Sequence, residues 1–350
     1  MKTAIIAITR GGAELGEQLL GLPDSTLFLP EKFKADFAER ASVKHFDTPV
    51  AELVGTIFSH YPGLLFVMAT GIVVRTVAPL LKDKTVDPAV VVMDEKGRFA
   101  ISLLSGHLGG ANELACMAAG ITGGQAVITT ATDVNDLPAI DLIAKEHRWV
   151  IENPDAIKTI NAAIVNGGRV GIYDATGHLK GQLDGIPQFV FQPNAGACLA
   201  ADVDARVIVD IALYEAPGAL LLRPCTLVAG MGCNRHTTAQ EIGEVFHRHL
   251  TSNGLSPLAV RGLATINLKE DEAGLLEFAE KSGLPISFYT AEELNTVGGI
   301  DPSDYLMKTI GAQGVCEPAA MLSAGTSRLL MKKVKDGNVT MAVAEALFTS

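Results

Sequence analysis

The chain has 350 residues, of which 48% are hydrophobic and 19% are charged, and its formal net charge is −11. This composition is typical of globular domains and excludes a disordered or fibrous protein, and the length suits two or three domains of ~100–200 residues each. The acidic balance and an aromatic content of only 5% argue against binding of nucleic acid over a broad surface. An acidic small molecule in a locally basic pocket is still allowed.

No run of residues indicates a membrane segment. The apolar part of the opening MKTAIIAITRGG is too short for a secretory signal, and no later run approaches the ~20 apolar residues that cross a bilayer. The cysteines are scattered without a C-x-x-C pair, which favours free thiols over a disulfide framework or a zinc site. They are Cys116, Cys198, Cys225, Cys233 and Cys316. We therefore expect a cytoplasmic protein with no membrane contact and no metal site.

Predicted strands and helices alternate through the first 129 residues. The strands are expected at 3–8, 64–68, 89–93, 99–103 and 125–129, and the helices at 10–20, 49–60, 72–81 and 111–119. A turn at 94–98 predicts that the strands on either side of it form a hairpin. The alternation favours an α/β domain over residues 1–136, with a mostly parallel sheet.

The pattern changes near Asp136 and again at Arg223. Residues 137–223 are expected to form a small middle domain or connector, with helix over much of 139–165 and short strands at 168–173, 206–212 and 219–222. Residues 224–350 predict a second α/β domain. Its strands are expected at 226–229, 258–260 and 286–289, its helices at 238–250, 270–281 and 316–324, and its hairpin turn at 336–338.

The loop Ser105-Gly106-His107-Leu108-Gly109-Gly110 follows a predicted strand and precedes a helix. Open α/β sheets bind ligands at the carboxyl ends of their strands, and N–H groups at a helix N-terminus bind anions. His107 is the best candidate for a general acid or base, because histidine titrates near neutral pH. Glu113 is a candidate to orient it or to activate water. The alternative is a glycine-rich turn with an exposed histidine and an exposed first-turn glutamate.

A second loop, Ala69-Thr70-Gly71, also joins a strand to a helix, and Arg75 lies four residues beyond Gly71. Arginine binds carboxylates in a bidentate manner. Thr70, Gly71 and Arg75, followed by Lys82 and Lys84, are therefore candidates to bind an acidic substrate. For the two lysines alone, a solvated surface is the simpler interpretation.

A third loop, Gly230–Thr237, precedes a helix in the last third of the chain. It lacks the third glycine of a dinucleotide fingerprint and the Gly-Lys-Ser/Thr ending of a P-loop. Its N–H groups and Arg235 are candidates to hold carboxylates, and helix-start turn chemistry is the alternative. The pair His247 and His249 does not suit a metal, because residues two apart on a helix do not face each other.

Long segments of the chain resemble one family. Residues 69–115, ATGIVVRTVAPLLKDKTVDPAVVVMDEKGRFAISLLSGHLGGANELA, are similar to the signature block of the cobalt-precorrin-5A hydrolase (CbiG) family of anaerobic cobalamin biosynthesis. ITTATD at 128–133 fits its continuation, and VAGMGCNRHT at 228–237 and GVCEPAAMLSAG at 314–325 resemble its C-terminal domain. The middle region carries no recognisable motif. The resemblance covers nearly the whole chain.

This resemblance implies a reaction. Water opens a δ-lactone on cobalt-precorrin-5A, acetaldehyde leaves, and the product is cobalt-precorrin-5B. Cobalt then arrives within the substrate, and the protein itself binds no cofactor. The expected partners are these two macrocycles and, transiently, neighbouring enzymes of the pathway.

We expect His107 to act as a base toward water, oriented by Glu113, with an oxyanion held at Gly109 and Gly110. Substrate contacts are expected at Thr70, Gly71, Arg75, Lys82, Lys84, Ser105, Gly106, Gly109, Gly110 and Arg235.

Two other functions remain open at this point. A non-catalytic precorrin carrier would bind substrate and product tightly without turnover. A nucleotide-dependent enzyme would use the glycine loops, although their incomplete fingerprints argue against it.

Overall fold

The structure is a computed structural model, and it describes residues 1–83, 86–135 and 137–346. The chain divides into two compact units, Met1–Leu142 and Ile143–Ser350. Within the described ranges, no helix is long and apolar enough to span a bilayer.

The first unit is built on a seven-stranded sheet with the order β3-β2-β1-β4-β5-β6-β7. Its strands are β1 Thr3–Ala7, β2 Ser25–Pro30, β3 Val43–Phe46, β4 Gly63–Val67, β5 Ala89–Met93, β6 Phe99–Leu104 and β7 Gln125–Val127. All neighbouring strands are parallel except β5 and β6. The chain reverses at the hairpin between these two strands.

Helices cover both faces of this sheet. They are α1 Arg10–Leu19, α2 Val50–Ile57, α3 Thr70–Val77, α4 Ala111–Thr122, α5 Ala131–Val134 and α6 Ile140–Glu146, the last of which crosses the boundary of the unit. Ile5 and Leu65 point to one buried layer, and Ile6 and Phe66 point to the other. Strands buried on both faces read as continuous apolar runs, which is why β4 and β5 were recognisable in the sequence.

The second unit contains two five-stranded sheets. The first has the order β10-β9-β11-β12-β8, and only β8 is antiparallel to its neighbour. Its strands are β8 Val150–Ile151, β9 Val170–Asp174, β10 Phe189–Phe191, β11 Ala205–Val209 and β12 Leu220–Arg223. Its helices are α7 Ala156–Val165, α8 His178–Leu183 and α9 Ala195–Ala200.

The other sheet of this unit has the order β15-β14-β13-β17-β16, with β13, β14 and β15 parallel and β17 antiparallel to both of its neighbours. Its strands are β13 Leu227–Cys233, β14 Val260–Ile266, β15 Ile286–Tyr289, β16 Leu329–Asp336 and β17 Val339–Glu345. The helices are α10 Ala239–Ser252, α11 Ala273–Ser282, α12 Ala291–Leu294, α13 Asp304–Ile310 and α14 Cys316–Ala324.

A glycine sets the distance between β13 and α14. A Cβ atom added to Gly230 would lie 1.8 Å from the carbonyl oxygen of Cys316, at the start of α14. Only glycine permits this approach. Gly230, predicted to lie in the third loop, is thus part of β13 and allows close packing against α14, which neither interpretation of that loop expected.

The prediction of a multi-domain α/β protein with mostly parallel sheets is confirmed. Several elements were not predicted, among them β2, β3, β8 and β10, and β14 is longer than the expected strand at 258–260. The domain boundaries after residues 136 and 223 stay predictions.

Candidate functional site

The two glycine loops of the first unit lie at opposite edges of its sheet. The loop at Thr70 follows β4, whereas the loop at His107 follows β6, which runs antiparallel to β5. The five residues of β5 separate these edges by roughly 15 Å. His107 thus lies at the carboxyl end of its own strand but at the amino end of β1–β5, so the two loops do not form one site.

The ring of His107 is held between two carboxylates. Its Nε2 atom lies 2.5 Å from Oδ2 of Asp133 and 3.1 Å from Oγ1 of Thr132. Its Nδ1 atom lies 3.9 Å from Oδ2 of Asp141. The side chains of His107 and Asp141 are buried, at 9% and 4% exposed, whereas 32% of the Asp133 side chain is exposed. This arrangement is a line of acid–base groups that leads from the protein interior to its surface.

The two carboxylates favour the protonated imidazole. Asp141 and then Asp133 raise the pKa of His107 above its ordinary value of 6.5, although burial of the ring lowers it. Asp133 makes the shorter contact, but Asp141 is more deeply buried, where charges are less screened by water. The carboxylates therefore favour the imidazolium form of His107, and its ring is not the exposed histidine of the alternative interpretation.

Asn112, in the first turn of α4, fixes Asp133 from the other side. Its Nδ2 group donates to Oδ2 of Asp133 at 3.1 Å and to Oγ1 of Thr130 at 3.2 Å, and its Oδ1 atom accepts from Ser102 Oγ at 2.6 Å. The side chain is buried, so these bonds satisfy groups that would otherwise be costly to bury. Gly106 makes room for it, since a Cβ there would lie 2.8 Å from Asn112 Oδ1.

The remaining loop residues shape the turn before α4. Ser105 has a positive φ of 55° and donates from Oγ to the carbonyl of Asp87 at 3.0 Å. The N–H of Gly110 donates to the carbonyl of His107 at 3.0 Å. In this conformation Gly110 therefore does not offer its N–H to an oxyanion as expected, and Gly109 keeps that role as a prediction.

Glu113 does not orient His107. Its side chain is exposed, and within the described ranges it makes no hydrogen bond or ion pair with the ring. Asn112, one position earlier, faces inward instead. Sequence reasoning missed Asn112, Asp133 and Asp141; the only available signal was the segment ITTATD, which ends at Asp133.

The predicted substrate contacts near Thr70 lie at the other edge of the sheet. Thr70 and Gly71 open α3, and the guanidinium of Arg75 donates to the Gly71 carbonyl at 2.9 Å. Arg75 is exposed. These residues are together, but β5 separates them from His107.

Lys82 lies at the same edge as His107. Its N–H donates to both carboxylate oxygens of Asp87, at 3.1 and 3.0 Å, and Asp87 in turn accepts from Ser105. The side chain of Lys82 is exposed and available to an anion. Lys84 lies outside the described residues.

Arg235 borders a cavity of about 580 Å³ in the second unit. It pairs with Asp271 and lies 3.6 Å from Glu272, while Lys269 lies 3.1 Å from the same Glu272 carboxylate. The cationic residues that line the cavity are Arg235, Lys269, Lys333 and Lys335.

The same cavity has an apolar wall. Ile266, Leu268, Tyr305, Leu306, Ile310 and Val315 line it. A cavity with apolar surface and four cationic groups suits a large amphipathic molecule that bears carboxylates. This basic cavity lies in a chain whose net charge is −11.

Three family models match successive parts of the chain. They are "Cobalamin synthesis G N-terminal" at residues 52–133, "Cobalamin biosynthesis central region" at 138–224 and "Cobalamin synthesis G C-terminus" at 227–344. The chain belongs to the cobalamin synthesis G family.

Individual relatives agree with this family. A Priestia megaterium protein named cobalt-precorrin-5A hydrolase is 38% identical over 353 residues, which cover 97% of this chain and 94% of that protein. A Salmonella typhimurium protein of the same name is 36% identical over 352 residues, 98% of this chain and 97% of that protein. Protein CobE of a Sinorhizobium species is 31% identical over 121 residues, 34% of this chain and 79% of that protein.

The N-terminal family model spans His107, Asn112 and Asp133 but ends before Asp141. The cavity around Arg235 falls within the C-terminal model. Both candidate sites are thus parts of the cobalamin synthesis G sequence, in separate compact units.

Proposed function

We propose that this chain is a cobalt-precorrin-5A hydrolase of cobalamin biosynthesis. The observation that carries the proposal is the identity of 38% and 36%, over nearly the full length, to two proteins of that name. Water opens the δ-lactone of cobalt-precorrin-5A, and acetaldehyde leaves to give cobalt-precorrin-5B. Cobalt is part of the substrate, and we propose no resident cofactor or metal.

We place the chemistry at the cluster of His107, Asp133 and Asp141. Lactone opening moves a proton from the attacking water and returns one to the leaving oxygen. The cluster can take up that proton, which makes its net charge less negative by one, and can return it to the leaving oxygen. The later carbon–carbon cleavage takes the proton of the new hydroxyl group, and the macrocycle accepts the electron pair.

We propose two regions for binding of the substrate's carboxylates. Four residues at the same sheet edge as His107 are assigned to the reacting end of the substrate. They are Lys82, Ser105, Gly106 and Gly109. The cavity of Arg235, Lys269, Lys333 and Lys335 belongs to the second unit and is proposed as a separate binding region, because cations on an apolar wall fit a macrocycle with acidic substituents. Thr70, Gly71 and Arg75 lie at the opposite sheet edge and are not assigned to the reacting end.

The test is anaerobic incubation of the purified chain with cobalt-precorrin-5A, with acetaldehyde and the mass of the macrocycle as readouts. The proposal expects acetaldehyde in step with loss of substrate. Tight binding of substrate without acetaldehyde, under conditions in which the Salmonella typhimurium relative releases it, would contradict the proposal and favour a carrier. Transient contact with neighbouring enzymes of the pathway is a further part of the proposal. Pull-down with those enzymes would test it.

A further inference from the structure

We infer that Asp133 is the catalytic base that contacts the water, and that His107 is a positioning residue behind it. This inference rests on the proposed hydrolase function. It changes the expected assignment, in which the imidazole itself faced the substrate.

The first argument is access. Only 9% of the His107 side chain is exposed, and each ring nitrogen faces a carboxylate, Nε2 toward Asp133 and Nδ1 toward Asp141. A substrate cannot reach either nitrogen without displacing a carboxylate. The Asp133 side chain is 32% exposed and is the member of the cluster with the most access to solvent.

The second argument is that the two carboxylate oxygens of Asp133 have different contacts. Its Oδ2 atom accepts from Asn112 at 3.1 Å and lies 2.5 Å from His107. Among the described residues, no hydrogen bond to Oδ1 is formed. One oxygen is therefore fixed by the protein, and the other is available to a water molecule.

The third argument is the burial of Asp141, the carboxylate at the inner end of the cluster. Asp141 is 3% exposed, and within the described ranges its Oδ1 atom has no hydrogen-bond partner. A carboxylate in this environment is costly to bury. A structural role alone would be met by a neutral side chain, whereas a group that balances the charge of an imidazolium needs the carboxylate.

The step balances without another reactant. Oδ1 of Asp133 takes a proton as the water oxygen bonds to the lactone carbonyl carbon, and the electron pair of the C=O bond moves to its oxygen. When this intermediate collapses, the lactone C–O bond breaks, and the proton on Asp133 passes to the leaving alkoxide. His107 and Asn112 hold the carboxylate in place throughout.

The experiment compares Asp133→Asn with wild type, and with Glu52→Gln as a control for loss of an exposed carboxylate in the same unit. Asp133→Asn is expected to bind cobalt-precorrin-5A with an unchanged spectral shift but to lower kcat by roughly 10²–10⁴-fold. Glu52→Gln is expected to turn over as wild type does.

A second variant keeps the inference testable if Asp133→Asn folds poorly. In Asp133→Gly, exogenous formate is expected to restore part of kcat in a concentration-dependent manner, because the carboxylate site opens to solvent. The same formate would have no effect on His107→Gln, whose site is buried. Near-normal kcat in Asp133→Asn would overturn the inference, and so would a folded Asp133→Gly variant that formate does not rescue. Turnover by the wild-type protein in the same assay would show that the hydrolase function itself still holds.

Discussion

The Nδ1 atom of His107 lies 3.9 Å from Oδ2 of Asp141, and both side chains are buried. A charge pair with so little water around it is screened weakly. The pair therefore links the protonation of His107 to the stability of the first unit. This linkage has a definite sign.

The pKa of His107 is raised in the folded chain, first by Asp141 and then by Asp133. Its contribution to stability is thus complete below the ordinary value near 6.5 and is lost as the pH rises through the raised value. We expect the stability advantage of wild type over His107→Gln to shrink as pH increases. Calorimetric melting of both proteins, from about pH 6 to about pH 9, measures this. A difference in Tm that stays constant or grows with pH would contradict the linkage.

Gly106→Ala is expected to lower both stability and turnover. The new Cβ would lie 2.8 Å from Asn112 Oδ1 and 3.2 Å from Thr130 Oγ1, so Asn112 must move away from Asp133. We expect a loss of about 1–3 kcal/mol in unfolding free energy. The matched control is Gly120→Ala, within α4, whose Cβ meets nothing within 4 Å. Because alanine favours helix, this change is expected to stabilise by about 0.5–1 kcal/mol. Equal effects of the two variants would refute the packing argument.

Asn112→Ala tests the support of Asp133 directly. The change leaves Ser102 and Thr130 without their buried partner and costs about 1–3 kcal/mol of stability. It also frees Asp133, so kcat is expected to fall more than KM rises. Steady-state kinetics on the folded variant give the two parameters. An effect confined to KM would show that Asn112 does not act through the catalytic carboxylate.

Lys335→Gln tests whether the cavity in the second unit binds the substrate's carboxylates. The lysine lines the cavity and is exposed, so we expect KM to rise roughly two- to fivefold with kcat unchanged. Added salt is expected to narrow the difference from wild type. Lys332→Gln is the control, since Lys332 lies on the same strand, β16, but does not line the cavity. An equal rise of KM in both variants would indicate a general effect of charge. It would contradict the proposal that the cavity binds the substrate.

Part of the site's layout was available from sequence patterns. The turn at 94–98 predicts a hairpin, and β5 and β6 do pair antiparallel. A hairpin reverses the chain, so the loop after β6 must open at the edge opposite the loop after β4. The separation of Thr70 from His107 therefore follows from a local signal, whereas the similar glycine content of the two loops suggested a shared role.

The partners of His107 could not be predicted in this way. Asp133 reaches the ring because β7 pairs with β6 in parallel, which places the following helix at the same edge. Such pairings depend on the whole sheet and leave no periodic trace in the sequence. Strands β2 and β3 were missed for a related reason. β3 has only four residues, and both strands mix their buried residues with polar or partly exposed positions.

The most direct test of the account is a single turnover of cobalt-precorrin-5A in water enriched in the heavy oxygen isotope. If water attacks the lactone carbonyl carbon, one heavy oxygen enters the new carboxylate of cobalt-precorrin-5B, and mass spectrometry of the macrocycle detects it. The account predicts this label in wild type and its loss, together with turnover, in Asp133→Asn. Formation of an unlabelled product would contradict hydrolysis at the carbonyl carbon and with it the role assigned to the His107–Asp133 pair.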